Sequence, residues 1–226
     1  MALGPQCGMN DPANPSMENK RYPDLSTAGR ELAQSLIAYK DRPDIVVLAI
    51  ALAGVPVAYE VARFINRPLD LILIRRLLMG DESGAHICAV NVAGKTILDD
   101  EVNLAATPST PREIFLTDAI AELGRRQQLS RRGRTPMTLT DSTLIVVDCG
   151  MRTGSTMQAA ARALRKTDAK TIIGAVPIAS RESYAAVAPL FDGLICLSQP
   201  ENFVNAGYWY RDFRRPGDDE VGELLR

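Results

Sequence analysis

An α/β domain built on a mostly parallel sheet, with helices on both faces, is the architecture this sequence predicts, and three observations carry it. Short apolar runs rich in β-branched residues, IVVLAI at 45–50, LILI at 71–74 and LIVV at 144–147, show none of the polar alternation of a half-exposed strand. Helical periodicity fills the stretches between them, the order that βαβ units produce. The chain is 226 residues long, 46% hydrophobic, and carries 26 Lys and Arg against 27 Asp and Glu, which suits one well-packed domain with a tail.

Residues 1–20, MALGPQCGMNDPANPSMENK, are rich in Pro, Asn, Gly and Met without periodicity and read as a disordered leader, leaving 21–226 as the folded unit. A helix is expected around Ala28 to Tyr39, with Leu32, Leu36 and Ile37 on one face, and a buried strand at Asp44 to Ile50. Gly54-Val55-Pro56 opens a second helix to Ile65, and Leu69 to Ile74 is a further strand. His86 to Val92 and Lys95 to Leu98 form a hairpin around Gly94-Lys95, and Ile114 to Gln128 is helical. Thr143 to Asp148 is a strand and Met157 to Lys166 a helix. Thr171 to Pro177 and Gly193 to Leu197 are the last strands, separated by a helix near Glu182 to Leu190.

Composition excludes several functions. Near-balanced charge gives no global reason for a nucleic-acid partner. The apolar stretch from Ile45 to Tyr59 is broken by Gly54 and Pro56 and is too short for a bilayer, so a soluble, cytoplasmic protein is expected. Cys7, Cys88, Cys149 and Cys196 form no CxxC pair and suggest neither zinc nor disulfides. His86 is the single histidine, which removes histidine-dependent triads.

The densest chemistry lies in TLIVVDCGMRTGSTMQAAA, Thr143 to Ala161, where an apolar strand ends in Asp148, passes through a Gly- and hydroxyl-rich turn, and enters a helix. Gly150 and Gly154 permit close approach of backbone to ligand. Thr153, Ser155 and Thr156 supply hydroxyls, and the first-turn amides of a helix have no partner within it, so an anion is held there. Asp148 stands beside that cradle, placed to accept hydrogen bonds from sugar hydroxyls.

At these residues the sequence resembles the phosphoribosyl pyrophosphate (PRPP) motif of type I phosphoribosyltransferases, an apolar strand, two acids, and a turn ending Thr-Gly-x-Thr. DIVVLAIALAGVPVAYEVA, LDLILIRRL, RRGRTP, VPIASRESY and the end CLSQPENFVNAGYWYRDFRRPGDDEV extend the likeness to bacterial members whose substrates are undefined. The resemblance implies a type I phosphoribosyltransferase-like fold with a small hood region and a flexible loop before the motif strand. It implies an enzyme that binds PRPP with substrate-chelated Mg2+ and transfers the phosphoribosyl group to a nitrogenous acceptor. Asp148 and the position of Cys149 would meet the ribose hydroxyls, and Gly150, Met151, Arg152, Thr153, Gly154, Ser155 and Thr156 would line the substrate, the last four holding the 5-phosphate. Ala53, Gly54, Arg75 and Arg76 would hold pyrophosphate. The resemblance leaves a homodimer open and calls for no membrane partner.

The chain departs from the family at three places. Cys149 replaces the second acid, Arg152 replaces an acid that is a general base in some purine-specific members, and Ala51-Leu52-Ala53-Gly54 replaces a Pro-Arg-Gly-Gly turn. These favour the alternative of a catalytically degenerate protein that binds PRPP or a nucleotide phosphate as a regulator. Five arginines at 125, 126, 131, 132 and 134 form a charge run whose default reading is solvated surface, with Arg131 or Arg134 the candidates for phosphate contact. Phe203, Tyr208, Trp209, Tyr210 and Phe213 either pin the C-terminal segment or stack an acceptor. Ala89 to Thr96, AVNVAGKT, matches the phosphate-loop pattern of nucleoside triphosphatases in form, yet its β-branched Val90 and Val92 suit a strand.

Overall fold

The computed structural model describes residues 21–50, 52–78, 86–100, 109–131 and 133–225, so the leader at 1–20, Ala51 and Arg132 lie outside the described residues. The chain runs α1 (Leu25–Gln34), β1 (Ile45–Ile50), α2 (Gly54–Ile65), β2 (Leu69–Leu78), β3 (His86–Val92), β4 (Lys95–Asp100) and α3 (Ser109–Arg131). It continues through β5 (Thr143–Val147), α4 (Ser155–Arg165), β6 (Thr171–Ile178), α5 (Arg181–Val187), β7 (Gly193–Ser198) and α6 (Asp218–Leu224). Short 3-10 turns occupy Ile37–Tyr39, Ala188–Leu190 and Ala206–Trp209.

The strands form one seven-stranded sheet in the order β4-β3-β2-β1-β5-β6-β7. β2, β1, β5, β6 and β7 are parallel, and the β3–β4 hairpin joins antiparallel at the β2 edge. The fold is therefore α/β with a mostly parallel sheet, as the sequence predicts.

Each central strand sends successive side chains to opposite faces, and both faces are dry. Ile45, Val47 and Ala49 of β1, with Ile145 and Val147 of β5, pack against α1 and α2 through Leu32, Val55, Val61 and Ile65. Val46, Leu48 and Ile50, with Leu144 and Val146, pack against Met157, Ala160 and Leu164 of α4. Burial on both sides is why these strands read as continuous apolar runs. Asp24 caps α1 by accepting from Thr27 N at 2.6 Å, and Asn66 ends α2 in the left-handed conformation at φ 55°.

Several expected boundaries move. The first helix stops at Gln34 and passes into the 3-10 turn, β2 runs on to Leu78, and the helix expected at Ile114 to Gln128 extends from Ser109 to Arg131. Arg125, Arg126 and Arg131 thus lie on a helix, in the region where the resemblance implied a flexible loop. The hairpin turn is Ala93-Gly94, at φ 48° and 80°, one residue earlier than Gly94-Lys95, because Val92 pairs with Lys95. A plain hairpin at Ala89 to Thr96 rules out the phosphate-loop reading.

Candidate functional site

β1 continues to β2 on one side and β5 to β6 on the other, so the chain departs in opposite directions from two adjacent parallel strands. In open parallel sheets this divergence opens a crevice beyond the strands' carboxyl ends. Here a cleft of about 700 Å³ lies there, with Leu52 and Ala53 from the β1–α2 turn, Asp148 and Cys149 from the end of β5, and Thr156 from α4 among its lining residues. Ile74 and Arg76 from β2, Arg126 from α3, and Asn205, Phe213 and Arg215 from the C-terminal segment also line it.

The turn after β5 is braced from behind. Met151 is 2% exposed, pairs with Ala179, and donates its N–H to Ile178 O at 2.9 Å. Ser180 Oγ donates to Arg152 O at 2.9 Å and Ser183 Oγ to Met151 O at 3.1 Å. Met151 thus faces the core, the Arg152 side chain is exposed, and the backbone between them is fixed by α5. Within α4 the first backbone bond runs from Gln158 N to Gly154 O at 2.8 Å, leaving the amides of residues 155–157 without a partner in the preceding turn of the helix. Thr153 Oγ1 lies 3.2 Å from Ser155 Oγ, and the guanidinium of Arg76 donates to Ser155 Oγ. Hydroxyls, amides and one cation therefore converge on the start of α4.

Gly154 permits this turn. Its φ is +73°, and a Cβ there would stand 2.4 Å from Val187 Cγ2. Gly154→Ala is expected to lower stability by roughly 2–3 kcal/mol through strain and overpacking, visible as a fall in Tm. An unchanged Tm would contradict this geometry.

Asp148 is half-buried at the cleft floor. Its Oδ1 accepts from Cys149 N at 2.7 Å. Burial raises its carboxyl to about 6, against the opposing pull of the Cys149 amide and thiol and of Arg215 and Arg76. Burial, and then the Asp148 charge, push the Cys149 thiol up, so at neutral pH Cys149 is an uncharged donor to Asp148. The phenol of Tyr210 donates to Cys149 O at 2.5 Å.

Arg75 and Arg76 do not act together. Successive strand residues point to opposite faces, so Arg76 enters the cleft while Arg75 pairs with Glu122 of α3. Arg131 is no candidate for phosphate contact. Its guanidinium is buried against Asp70, 2.7 Å from Oδ1, with side chains 8% and 4% exposed. Arg134 is exposed and does not line this cleft. Ala53 lines the cleft, and Gly54 packs beside it against the end of β5.

Trp209 and Tyr210 are 4% and 3% exposed, and Tyr22 exchanges backbone hydrogen bonds with Trp209 and Arg211 at 2.8 Å each, so these aromatics pin the C-terminal segment. Phe213 instead faces the cleft. Sequence reasoning missed Arg126, Asn205 and Arg215 as lining residues, and Ser180 and Ser183 as braces. Each is brought to the site from far along the chain and carries no local signal.

A family model described as phosphoribosyl transferase domain matches residues 20–208. The chain belongs to that family. A Mycobacterium tuberculosis protein named as a candidate phosphoribosyl transferase is 35% identical over 212 residues, which make up 91% of this chain and 46% of the relative. The chain thus spans about half the length of the curated relatives it matches. A Thermus thermophilus protein of known crystal structure superposes with a TM-score of 0.78 at 28% identity, covering 91% of this chain and 97% of that one. A Neisseria gonorrhoeae protein crystallised with ppGpp shares the fold at a TM-score of 0.50 and 15% identity, with 92% and 97% covered. The phosphoribosyltransferase domain therefore has the type I fold, and residues of 205–215 supply one wall of its cleft. No helix among the described residues is long and apolar enough to cross a membrane.

Proposed function

We propose that the protein binds PRPP in this cleft and transfers its phosphoribosyl group to a nitrogenous acceptor, releasing pyrophosphate. The observation that carries the reading is the meeting, at one crevice, of the Asp148 carboxylate with the hydroxyl- and amide-lined start of α4. In this reading Asp148 accepts from the ribose hydroxyls, with Cys149 as a neutral neighbour in place of a second acid. Thr153, Ser155, Thr156, the amides of 155–157 and Arg76 hold the 5-phosphate. Ala53, the Gly54 amide and Arg126 face the pyrophosphate. As the acceptor nitrogen bonds to C1, the C1–O bond breaks and pyrophosphate leaves with its electron pair, and the protein contributes by positioning both partners and neutralising charge.

Among the described residues no group of three acids, His or Cys could hold a metal ion, and the cleft offers Asp148 as its one carboxylate. That donor set fits a magnesium ion that arrives on the ligand's phosphate oxygens. Bound magnesium would supply charge neutralisation for the departing pyrophosphate.

Arg152 and Cys149 support a second reading, a binding protein that keeps the cradle and has lost turnover, with a phosphorylated nucleoside such as ppGpp as its regulator. Calorimetric titration with PRPP and Mg2+, with ribose 5-phosphate, ATP and ppGpp as competitors, separates the two. PRPP is expected to bind, and Thr153→Ala to weaken it about tenfold. Binding of ppGpp with none of PRPP would overturn the transferase reading.

A further inference from the structure

The turn after β5 owes its direction to the start of α5. Two successive carbonyls of the turn point the same way. Met151 O accepts from Ser180 N at 2.9 Å and from Ser183 Oγ at 3.1 Å, and Arg152 O accepts from Ser180 Oγ at 2.9 Å. In a planar trans peptide the N–H lies opposite the C=O. The amides of Arg152 and Thr153 are therefore turned away from α5, and neither has an acceptor among the described residues. Successive N–H groups on one side of the chain form a concavity suited to an anion. The hydroxyls of Thr153 and Ser155, 3.2 Å apart, belong to the same turn.

The holds on the two carbonyls are unequal. Met151 O keeps a backbone donor, Ser180 N, whatever side chains stand at 180 and 183. The Ser183 hydroxyl has one proton, and Ser180 O at 3.0 Å competes with Met151 O for it. Arg152 O has one donor among the described residues, the Ser180 hydroxyl. That oxygen also accepts from Ser183 N at 3.0 Å, which caps α5, so its proton and a lone pair are both committed. Ser180 is 6% exposed, and water competes little for these bonds. α5 abuts the next residue too, since a Cβ on Gly154 would stand 3.4 Å from Ser183 O. Turn and helix start are packed as one unit.

We infer that Ser180 is a positioning residue for the phosphate end of the cleft, its hydroxyl holding the Arg152–Thr153 peptide with the carbonyl on α5 and the amide toward a bound 5-phosphate. Ser180 touches no ligand. It acts through the Thr153 amide, adding one preset donor to those of residues 155–157, and the turn binds without reorganising. Loss of the hydroxyl leaves that peptide free to rotate. The inference rests on the PRPP reading and extends its binding machinery to α5, none of whose residues line the cleft.

The test is calorimetric titration of wild type, Ser180→Ala and Ser180→Thr with three probes: PRPP with Mg2+, ribose 5-phosphate, and pyrophosphate with Mg2+. Ser180→Ala is expected to weaken PRPP and ribose 5-phosphate about tenfold, the worth of one hydrogen bond to a charged group, and to leave pyrophosphate within about twofold. Ser180→Thr keeps the hydroxyl and is expected to restore the affinity. A serine that only stabilises the fold predicts equal losses for all three probes, following the fall in Tm. Ser180→Ala also removes the cap of α5 and lowers stability, so amide NMR of the wild-type protein gives an independent readout. Ribose 5-phosphate is expected to move the Arg152 and Thr153 resonances together with those of 155–157. Unchanged ribose 5-phosphate affinity in Ser180→Ala, equal losses across the probes, or a Thr153 amide that does not respond overturns the inference. Wild-type protein that binds neither PRPP nor ribose 5-phosphate overturns the underlying reading instead, so the two failures are distinct.

Discussion

Asp148→Asn is expected to abolish tight PRPP binding while making the protein more stable. In the proposed complex the carboxylate accepts charge-assisted hydrogen bonds from ribose hydroxyls, and an amide accepts them less well, so affinity is expected to fall about a hundredfold. The stability effect has the opposite sign. Burial raises this acid from 3.8 to about 6, so the folded state binds the proton more tightly than the unfolded chain does. The contribution to stability is therefore greatest below about pH 4 and is lost as pH rises to about 6. At pH 7.5 the ionised group costs up to about 3 kcal/mol, less whatever cleft water recovers by solvating its open side. The Asn variant should show a higher Tm at pH 7.5 and parity near pH 4. Wild-type PRPP affinity should weaken roughly tenfold per pH unit below 6 through this group, a dependence that the variant lacks. Denaturation and titration across pH 4–8 check both, and a variant that is less stable at pH 7.5 would refute the account.

Loss of either partner in the Asp70–Arg131 pair is expected to cost roughly 3–5 kcal/mol, because removing one leaves the other charged and buried. Asp70 takes Arg131 NH2 at 2.7 and 2.9 Å, and also accepts from Leu71 N at 2.7 Å and Met137 N at 3.3 Å. One carboxylate thus fastens the end of α3 and the following extended segment to β2. Asp70→Ala and Arg131→Ala should each shift the urea midpoint sharply downward. Exchange of both for apolar residues, Asp70→Leu with Arg131→Met, should recover most of the loss. PRPP affinity should fall in the single variants as well, since α3 carries Arg126 to the cleft. Single variants within about 1 kcal/mol of wild type would show that the pair is not the fastening.

The parallel core was legible because burial on both faces of β1 and β5 leaves an unbroken apolar run that no other element requires. The Asp148 turn was legible because its residues are consecutive. What escaped was nonlocal. Arg131 looked like one cation in a surface run, and only its partner Asp70, 61 residues away, marks it as buried. The alternation of a strand separates Arg75 from Arg76, yet the sequence alone does not show which of the two faces the crevice. Ser180 and Ser183 stand at the start of α5, where nothing local marks them as braces. The second of them caps nothing and instead grips the Met151 carbonyl. Arg215 lies inside the matched end segment, yet nothing local directs it to the cleft, which it reaches because Tyr210 and Trp209 anchor the residues before it.

The close packing of α2 onto β5 has a mechanical consequence. A Cβ on Gly54 would stand 3.0 Å from Val147 O and 3.3 Å from Asp148 Cα, so the two halves of the cleft floor touch backbone to backbone. Neither half is free to shift without the other, and the distance between the proposed ribose and pyrophosphate subsites is set by the sheet itself. Any widening that admits or releases a ligand must then come from the walls, where the C-terminal segment is held by backbone bonds to Tyr22 and Pro23, a phenol-to-carbonyl bond and the buried Trp209 and Tyr210. The floor acts as a fixed gauge and the wall as the adjustable jaw, an arrangement that keeps the reacting bond's length scale constant while the shape of the acceptor varies.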